Sequence, residues 1–163
     1  GKTTVGRILA RKLGRAFVDT DREIERRSGL TVVQIFAEQG ESAFRQLESE
    51  LLDELATLQR STVIACGGGV VVRPESVESL RRIGPVIWLR MSADSLVARL
   101  RFSRRQGRPL LLTEHWPDVV RQLVAEREQL YRLAASVTIQ CDGLSPEQVA
   151  SRIQRTLRTI EGR

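Results

Sequence analysis

The chain has 163 residues, of which 41% are hydrophobic, and this length suits one domain with its own core rather than two. Because it contains no run of 18 apolar residues and no signal-peptide pattern, we expect a cytoplasmic protein without a membrane partner. Its net charge is +6, from 24 Arg and 2 Lys against 20 acidic residues, and such a charge suits anionic ligands. Because the arginines are scattered along the chain and only 4% of residues are aromatic, we do not expect nucleic-acid binding.

Short apolar runs alternate with helical stripes along the chain, which is typical of an α/β fold with a parallel sheet. The first helix has one apolar face and ends at Gly14. The run AFVD at 16–19 is predicted to be a buried strand. The next helix begins near Thr20, which has capping-box spacing to Glu23, and it ends at Gly29.

Two further helices are predicted before the second strand. The first, TVVQIFAEQG, ends at Gly40. The second, ESAFRQLESELLDELATLQR, is long, and its predicted buried stripe consists of Phe44, Leu47, Leu51, Leu55 and Leu58. The strand STVIAC at 61–66 then leads directly into three glycines.

The second half of the chain continues the alternation. A helix led by Pro74 precedes the strand PVIWLR, and helices are predicted over about 92–102 and 118–135. The strand VTIQC follows, and the last helix begins at Ser145, where SPEQ has the pattern of a capping box. Residues 103–116, SRRQGRPLLLTEHW, lack periodicity and are predicted to form a mobile surface loop.

The first four residues, GKTT, match the second half of the phosphate-binding pattern G-x-x-x-x-G-K-[ST]. They lie at the start of a helix, where backbone N–H groups and the helix dipole favour a phosphate. Lys2 would reach the β and γ phosphates, and the Thr3 hydroxyl would hold Mg²⁺. An ordinary helix start explains the same letters. The first half of this pattern is not in the sequence.

Two acidic residues and three glycines follow predicted strands, at the edge of the sheet where ligands of open α/β folds bind. Asp19 and Asp21 flank a threonine, and helix capping needs only one of them. One could therefore serve a metal and the other a substrate hydroxyl. The glycines at 67–69 would let a ligand contact the backbone, although a plain flexible turn would use them equally well.

Two arginines lie at positions where a cation is unfavourable, and three more are clustered in one loop. Arg127 lies on an otherwise apolar helical stripe, and Arg45 lies in the first turn of the long helix, where the dipole disfavours a cation. Together they would suit one planar carboxylate, and two unrelated salt bridges are the alternative. The loop 103–116 carries Arg104, Arg105 and Arg108, which would close over a phosphate or simply face solvent.

Together these residues resemble the shikimate kinases, which are small-molecule kinases of the nucleoside-monophosphate-kinase type with a phosphate-binding loop. The resemblance covers nearly the whole chain in order, through GKTT, VDTDREIERRSG, IFAEQGESAFRQLESE, CGGGVV, GRPLL and EREQLY. It implies a single domain over 1–163 with a lid at about 103–116. The implied fold is a three-layer α/β sandwich with a parallel sheet of order 2-3-1-4-5, whose central first strand is absent here.

The resemblance also implies where each substrate binds. For ATP it implies a nucleotide and phosphate site formed by Gly1, Lys2, Thr3, Thr4, Arg99 and Arg108, with Mg²⁺ near Thr3 and Asp19. For shikimate it implies that Asp21 binds the hydroxyls and that two arginines grip the carboxylate. The complete set of implied shikimate contacts is Asp21, Arg45, Arg127, the backbone of Gly67, Gly68 and Gly69, and the walls Phe36 and Phe44. The implied catalytic residues are Asp21, Lys2 and Arg108.

The implied reaction transfers the γ-phosphoryl group of ATP to the 3-hydroxyl of shikimate, giving 3-phosphoshikimate in chorismate biosynthesis, and we expect a monomer. The alternatives are a related enzyme, such as gluconate or nucleotide kinase, and a ligand-sensing module without catalysis. The joint occurrence of both arginines, the three glycines and DTD argues against the first alternative. A sensor would not need Asp21, Lys2 and Arg108.

The lid sequence departs from the family pattern in one respect, because it is somewhat long before its Arg-Pro.

The absent central strand leads to one expectation for the sheet. The strands at about 62–66 and 86–90 should be separated by a slot, because the helices packed on both faces fix the strand positions. They should therefore not hydrogen-bond to each other.

Overall fold

The computed structural model describes residues 1–58, 61–101 and 113–161. Within these ranges the chain forms seven α-helices and four strands, and helical and strand segments follow each other in the order that the sequence predicts. The helices are α1 Lys2–Leu13, α2 Thr20–Ser28, α3 Val32–Thr57, α4 Pro74–Ile83, α5 Ala93–Arg101, α6 Trp116–Ala134 and α7 Pro146–Glu161. The strands are β1 Ala16–Asp19, β2 Thr62–Ala65, β3 Ile87–Arg90 and β4 Val137–Gln140, and a single 3-10 turn covers Val70–Val72. None of the described helices combines the length and the apolar content needed to span a bilayer.

The four strands form two parallel pairs. β1 pairs with β2, from Ala16 opposite Thr62 to Asp19 opposite Ala65. β3 pairs with β4 in the same way, from Ile87 opposite Val137 onward. Across the described part of the chain, β2 and β3 do not hydrogen-bond to each other. The prediction that these two strands do not hydrogen-bond to each other is confirmed.

The start of α2 differs from the sequence prediction. Its N-cap is Asp19, whose Oδ1 accepts a hydrogen bond of 3.3 Å from the Arg22 backbone N–H. The proposed capping box of Thr20 and Glu23 is therefore wrong, because β1 runs directly into the helix and leaves Asp19 in the extended conformation that a cap requires. The end of α2 at Gly29, with φ of 72°, agrees with the prediction.

Helix α3 contains both helices predicted before the second strand. They meet at Gly40, whose φ of 85° and ψ of 167° interrupt the helix, and the first part begins with a capping box between Thr31 and Gln34. The predicted stripe is wrong at Leu58, which caps the helix end and is 52% exposed. The helical path ends at Thr57, so Leu58 cannot continue the buried face.

Three apolar clusters hold the elements together. The largest lies around α3 and includes Ile35 and Leu52, both fully buried. A second joins α1, α7 and the β3–β4 pair. A third packs α5 against α6 and includes Trp116, which is 8% exposed. The prediction that the surface loop extends through residue 116 is therefore wrong, and the part of that loop at 103–112 lies outside the described residues.

Candidate functional site

The predicted phosphate and metal residues meet at the start of α1. Thr3 Oγ1 donates a hydrogen bond of 2.7 Å to Oδ2 of Asp19, at the end of β1. Burial raises the pKa of Asp21, and Lys2 lies close enough for its positive charge to oppose that rise in part. The Nη1 atom of Arg99 lies 3.9 Å from the Cβ position at Gly1, and its Nη2 donates to the Leu144 carbonyl at 3.0 Å. Thr4 lies exposed in the same first turn.

Thr20 connects the two strand ends that form the floor of the site. Its side chain is fully buried, and its hydroxyl donates to the Ala65 carbonyl at 3.4 Å. The same oxygen accepts from the Gly67 N–H at 3.3 Å. Thr20 thereby fixes the acidic turn after β1 against the glycine loop, residues 67–69, after β2.

Two carboxylate oxygens face Gly67 from different helices. A Cβ atom on Gly67 would lie 2.9 Å from Oδ1 of Asp21 and 2.8 Å from Oε1 of Glu48. Both oxygens are buried, and neither has a hydrogen-bond partner within the described residues. A buried acceptor without a donor is energetically unfavourable, so this point of the site is suited to a ligand that brings hydroxyl groups.

Burial dominates the electrostatics of these carboxyls. It raises the pKa of Asp21, and the negative charge of Asp19 adds to this, while Lys2 and Arg45 act in the opposite direction. Burial likewise raises the pKa of Glu48, against the opposing effect of the Arg45 charge. It also raises the pKa of the neighbouring Cys66 thiol to about 12, which leaves that thiol protonated and unreactive at neutral pH.

Arg45 is held tightly behind the glycine loop. It is only 7% exposed, and its guanidinium donates to Oε2 of Glu48 at 2.8 Å and to Oε1 of Glu41 at 3.0 Å. Its positive charge lies 5.2 Å from the ring centre of Phe44, which packs in the core beside Phe36 with ring centres 5.2 Å apart. A Cβ atom on Gly69 would overlap the guanidinium, so glycine is required there.

Arg127 approaches the same loop from α6. Its Nη1 donates to the Gly68 carbonyl at 3.3 Å, and Tyr131 donates its hydroxyl to that carbonyl as well. Within residues 1–58, 61–101 and 113–161, Arg127 has no carboxylate partner. Arg45 and Arg127 thus contact neighbouring glycines. Salt bridges were the alternative that the sequence left open for both arginines, and among the described residues Arg45 forms them and Arg127 does not.

Most of the predicted site residues are therefore brought together at the ends of β1 and β2. Arg108 and its neighbours Arg104 and Arg105 lie outside the described residues. Sequence reasoning missed Thr20, Glu48 and Tyr131 as parts of this site. Glu48 could have been found by the argument used for Arg127, because it is a charged residue four positions after Phe44 on an apolar helical face.

The metal predicted at Thr3 and Asp19 is compatible with the oxygens found there. A hydroxyl and a carboxylate oxygen, 2.7 Å apart, are hard ligands of the kind Mg²⁺ prefers. The described residues contain no cluster of three or more His, Cys, Asp or Glu that would form an all-protein metal site. The pair therefore fits an ion whose other ligands are phosphate oxygens and water, as is usual for Mg²⁺ bound with a nucleotide.

Comparisons with known proteins agree on one family. The family model described as shikimate kinase matches residues 1–158. A shikimate kinase of Symbiobacterium thermophilum is 44% identical over 97% of this chain and 90% of its own length. One of Thermodesulfovibrio yellowstonii is 40% identical over 94% of this chain and 86% of its own.

Solved structures give the same result. Shikimate kinase from Acinetobacter baumannii, in complex with shikimate, matches with a TM-score of 0.91 at 37% identity, covering 98% of this chain and 88% of its own. Shikimate kinase from Aquifex aeolicus matches with a TM-score of 0.81 at 32% identity, covering 99% and 92%. The predicted α/β fold with parallel strands is confirmed by these neighbours.

Proposed function

The chain belongs to the shikimate kinase family, whose members use ATP, and we propose that its site transfers the γ-phosphoryl group of ATP to the 3-hydroxyl of shikimate. The protein is an ATP-dependent kinase, and aromatic amino acid biosynthesis is its pathway. The shikimate kinase relatives favour this activity over gluconate or nucleotide phosphorylation and over a non-catalytic sensor. We further propose that it acts as a single-domain monomer in the cytoplasm.

Two unpaired carboxylate oxygens support the assignment of the hydroxyl-binding part of the pocket. Oδ1 of Asp21 and Oε1 of Glu48 converge on Gly67 without a donor from the described residues. A substrate with neighbouring hydroxyls would supply the missing donors. Asp21 then lies where it can orient the attacking hydroxyl and accept its proton, and burial, by raising its pKa, makes it a stronger base than an exposed aspartate.

The carboxylate of shikimate is proposed to bind between Arg45 and Arg127. Arg127 brings a positive charge that no described carboxylate neutralises. Arg45 uses three of its five N–H groups on Glu41 and Glu48, and the other two have no partner among the described residues, so they could bind a ligand. Both side chains reach the glycine loop, Arg45 at Gly69 and Arg127 at Gly68, so one planar anion beside the loop could contact both.

The phosphate groups of ATP are proposed to bind at the start of α1. Gly1, Lys2, Thr3 and Thr4 place N–H groups, a helix dipole and a cation there. Thr3 and Asp19 would hold Mg²⁺, which when bound neutralises charge on the phosphate oxygens. Arg99 lies next to Gly1 and is proposed to contact the adenine, and Arg108 remains the predicted contact of the transferred phosphate.

Product analysis tests this function. The purified protein is incubated with Mg²⁺, ATP and either shikimate, gluconate or a nucleoside monophosphate, and the products are identified by phosphorus NMR and mass spectrometry. We expect one phosphate ester, on the 3-hydroxyl of shikimate, and none in a matched Asp21→Asn protein. Phosphorylation of gluconate or a nucleotide, with shikimate left unchanged, would contradict the proposal.

A further inference from the structure

The backbone carbonyl of Gly68 receives two hydrogen bonds from one helix. Arg127 Nη1 donates to it at 3.3 Å, a long bond, and the Tyr131 hydroxyl donates to it as well. The two side chains are four residues apart in α6 and therefore lie on the same face, one turn apart. One carbonyl thus has a neutral donor and a charged donor.

Tyr131 is braced so that its hydroxyl stays on this carbonyl. Its ring stacks on Trp88 of β3, with ring centres 5.6 Å apart and an angle of 19° between the planes. On its other side the glycine loop packs closely against the Arg45 guanidinium, since a Cβ atom on Gly69 would overlap Arg45 Nη2. The loop is therefore clamped between Arg45 and α6.

Substrate binding changes what Arg127 must do. If Arg127 binds the substrate carboxylate, its guanidinium turns towards a charged acceptor and gives up the long bond to Gly68. A half-buried carbonyl that lost its last donor would be destabilised, and the loop would shift to find another. The Tyr131 hydroxyl prevents this, since it keeps the carbonyl paired in both states.

We propose that Tyr131 is a positioning residue: its hydroxyl holds the Gly68 carbonyl, so that Arg127 is free to bind the substrate carboxylate while the glycine loop keeps its place. The inference rests on the proposed function. It assigns Tyr131 no contact with substrate, and it predicts that the effect of the hydroxyl depends on Arg127.

Steady-state kinetics of Tyr131→Phe test the inference. The variant keeps the ring and its stacking on Trp88 but lacks the hydroxyl. We expect the KM for shikimate to rise about 3- to 10-fold, the size of one lost hydrogen bond, with the KM for ATP and kcat changed less than about twofold. The matched control is Arg132→Gln, which removes a surface ion pair with Glu128 from the same helix and should leave all three parameters unchanged.

The dependence on Arg127 separates positioning from general damage. In the Arg127→Ala background, removal of the Tyr131 hydroxyl takes the same donor from the carbonyl before and after binding, so adding Tyr131→Phe should lower kcat/KM for shikimate clearly less than it does in the wild-type background. An unchanged KM in Tyr131→Phe would overturn the inference. Equal losses in the two backgrounds would also overturn it, because they would show a merely structural role.

A second measurement does not require the Phe variant to fold. The chain contains one tyrosine, so 3-fluorotyrosine labels this position alone. The fluorine NMR signal should shift when shikimate is added, because Arg127 leaves the shared carbonyl, and it should not shift with ATP alone. An unshifted signal at saturating shikimate would overturn the inference. Lack of turnover by the wild-type protein would instead refute the proposed function, and the inference with it.

Discussion

Replacing Gly67 by alanine tests the hydroxyl-binding part of the pocket directly. The added methyl would lie 2.8 Å from Oε1 of Glu48 and 2.9 Å from Oδ1 of Asp21, whereas real Cβ atoms essentially never come within 3.0 Å of such neighbours. The carboxyls would have to move by roughly half an ångström, and the methyl would occupy the place proposed for a hydroxyl. Losing one hydrogen bond to a charged acceptor costs about 1.5–3 kcal/mol, which corresponds to about a 10- to 150-fold fall in kcat/KM.

The assay is kcat/KM for shikimate at saturating ATP, measured by coupled ADP release, together with Tm to confirm folding. Gly68→Ala is the comparison, since among the described residues its Cβ would meet only the Tyr131 hydroxyl, at an ordinary 3.6 Å. Neither glycine has a left-handed φ, so both backbones accept alanine. Gly68→Ala should lose much less activity than Gly67→Ala. Equal losses, or a Gly67→Ala protein within about threefold of wild type, would refute the reasoning.

Three further predictions concern charges. Arg127→Ala should raise the KM for shikimate with little change in the KM for ATP, since truncating one partner of a charged pair costs on the order of 2 to 5 kcal/mol. Arg127→Lys should recover only part of the lost shikimate affinity. An unchanged KM for shikimate in Arg127→Ala would refute the assignment. Asp21→Asn should lower kcat far more than shikimate affinity, and a kcat within about threefold of wild type would rule out the general-base role. Hydrogen bonds from Arg26 and Arg27 lower the pKa of Glu23 from 4.5 to about 2. The ionised Glu23 therefore stabilises the fold fully above its ordinary pKa of 4.5, and this stabilisation is lost as the pH falls towards 2. Glu23→Gln should therefore flatten the dependence of Tm on pH in this range, and an unchanged slope would show that the ion pairs are too well solvated to matter.

The sequence predicted the order and type of the elements because their signals are local. Glycines at 14, 29 and 40 end or interrupt helices with positive φ, and apolar periodicity is read within a few turns. The errors arose where tertiary structure overrides a local pattern. Thr20 has the spacing of a cap, but the end of β1 places Asp19 in that role and buries Thr20 between two strand ends.

The site was predicted residue by residue, but its connections were not. Asp19, Asp21 and the glycines lie together, as their positions after parallel strands imply. The partner of Arg45 was not foreseen, although Glu48 lies only three residues further along the same helix. Spacing shows that two side chains share a face, but it does not show that a third element, here the glycine loop, presses against them.

The unpaired polar atoms of the described residues are concentrated where the substrate is proposed to bind. The buried side-chain oxygens without a partner are Oδ1 of Asp21 and Oε1 of Glu48, and both face Gly67. Other buried polar groups, such as Thr20 and Ser79, are satisfied by the protein itself. Leaving two buried carboxylate oxygens unpaired gives a fold no stability. The two unpaired oxygens destabilise the free protein, and a ligand hydroxyl that bonded to them would offset this cost. The same two acceptors would then discriminate against substrates that lack a hydrogen-bond donor at that point.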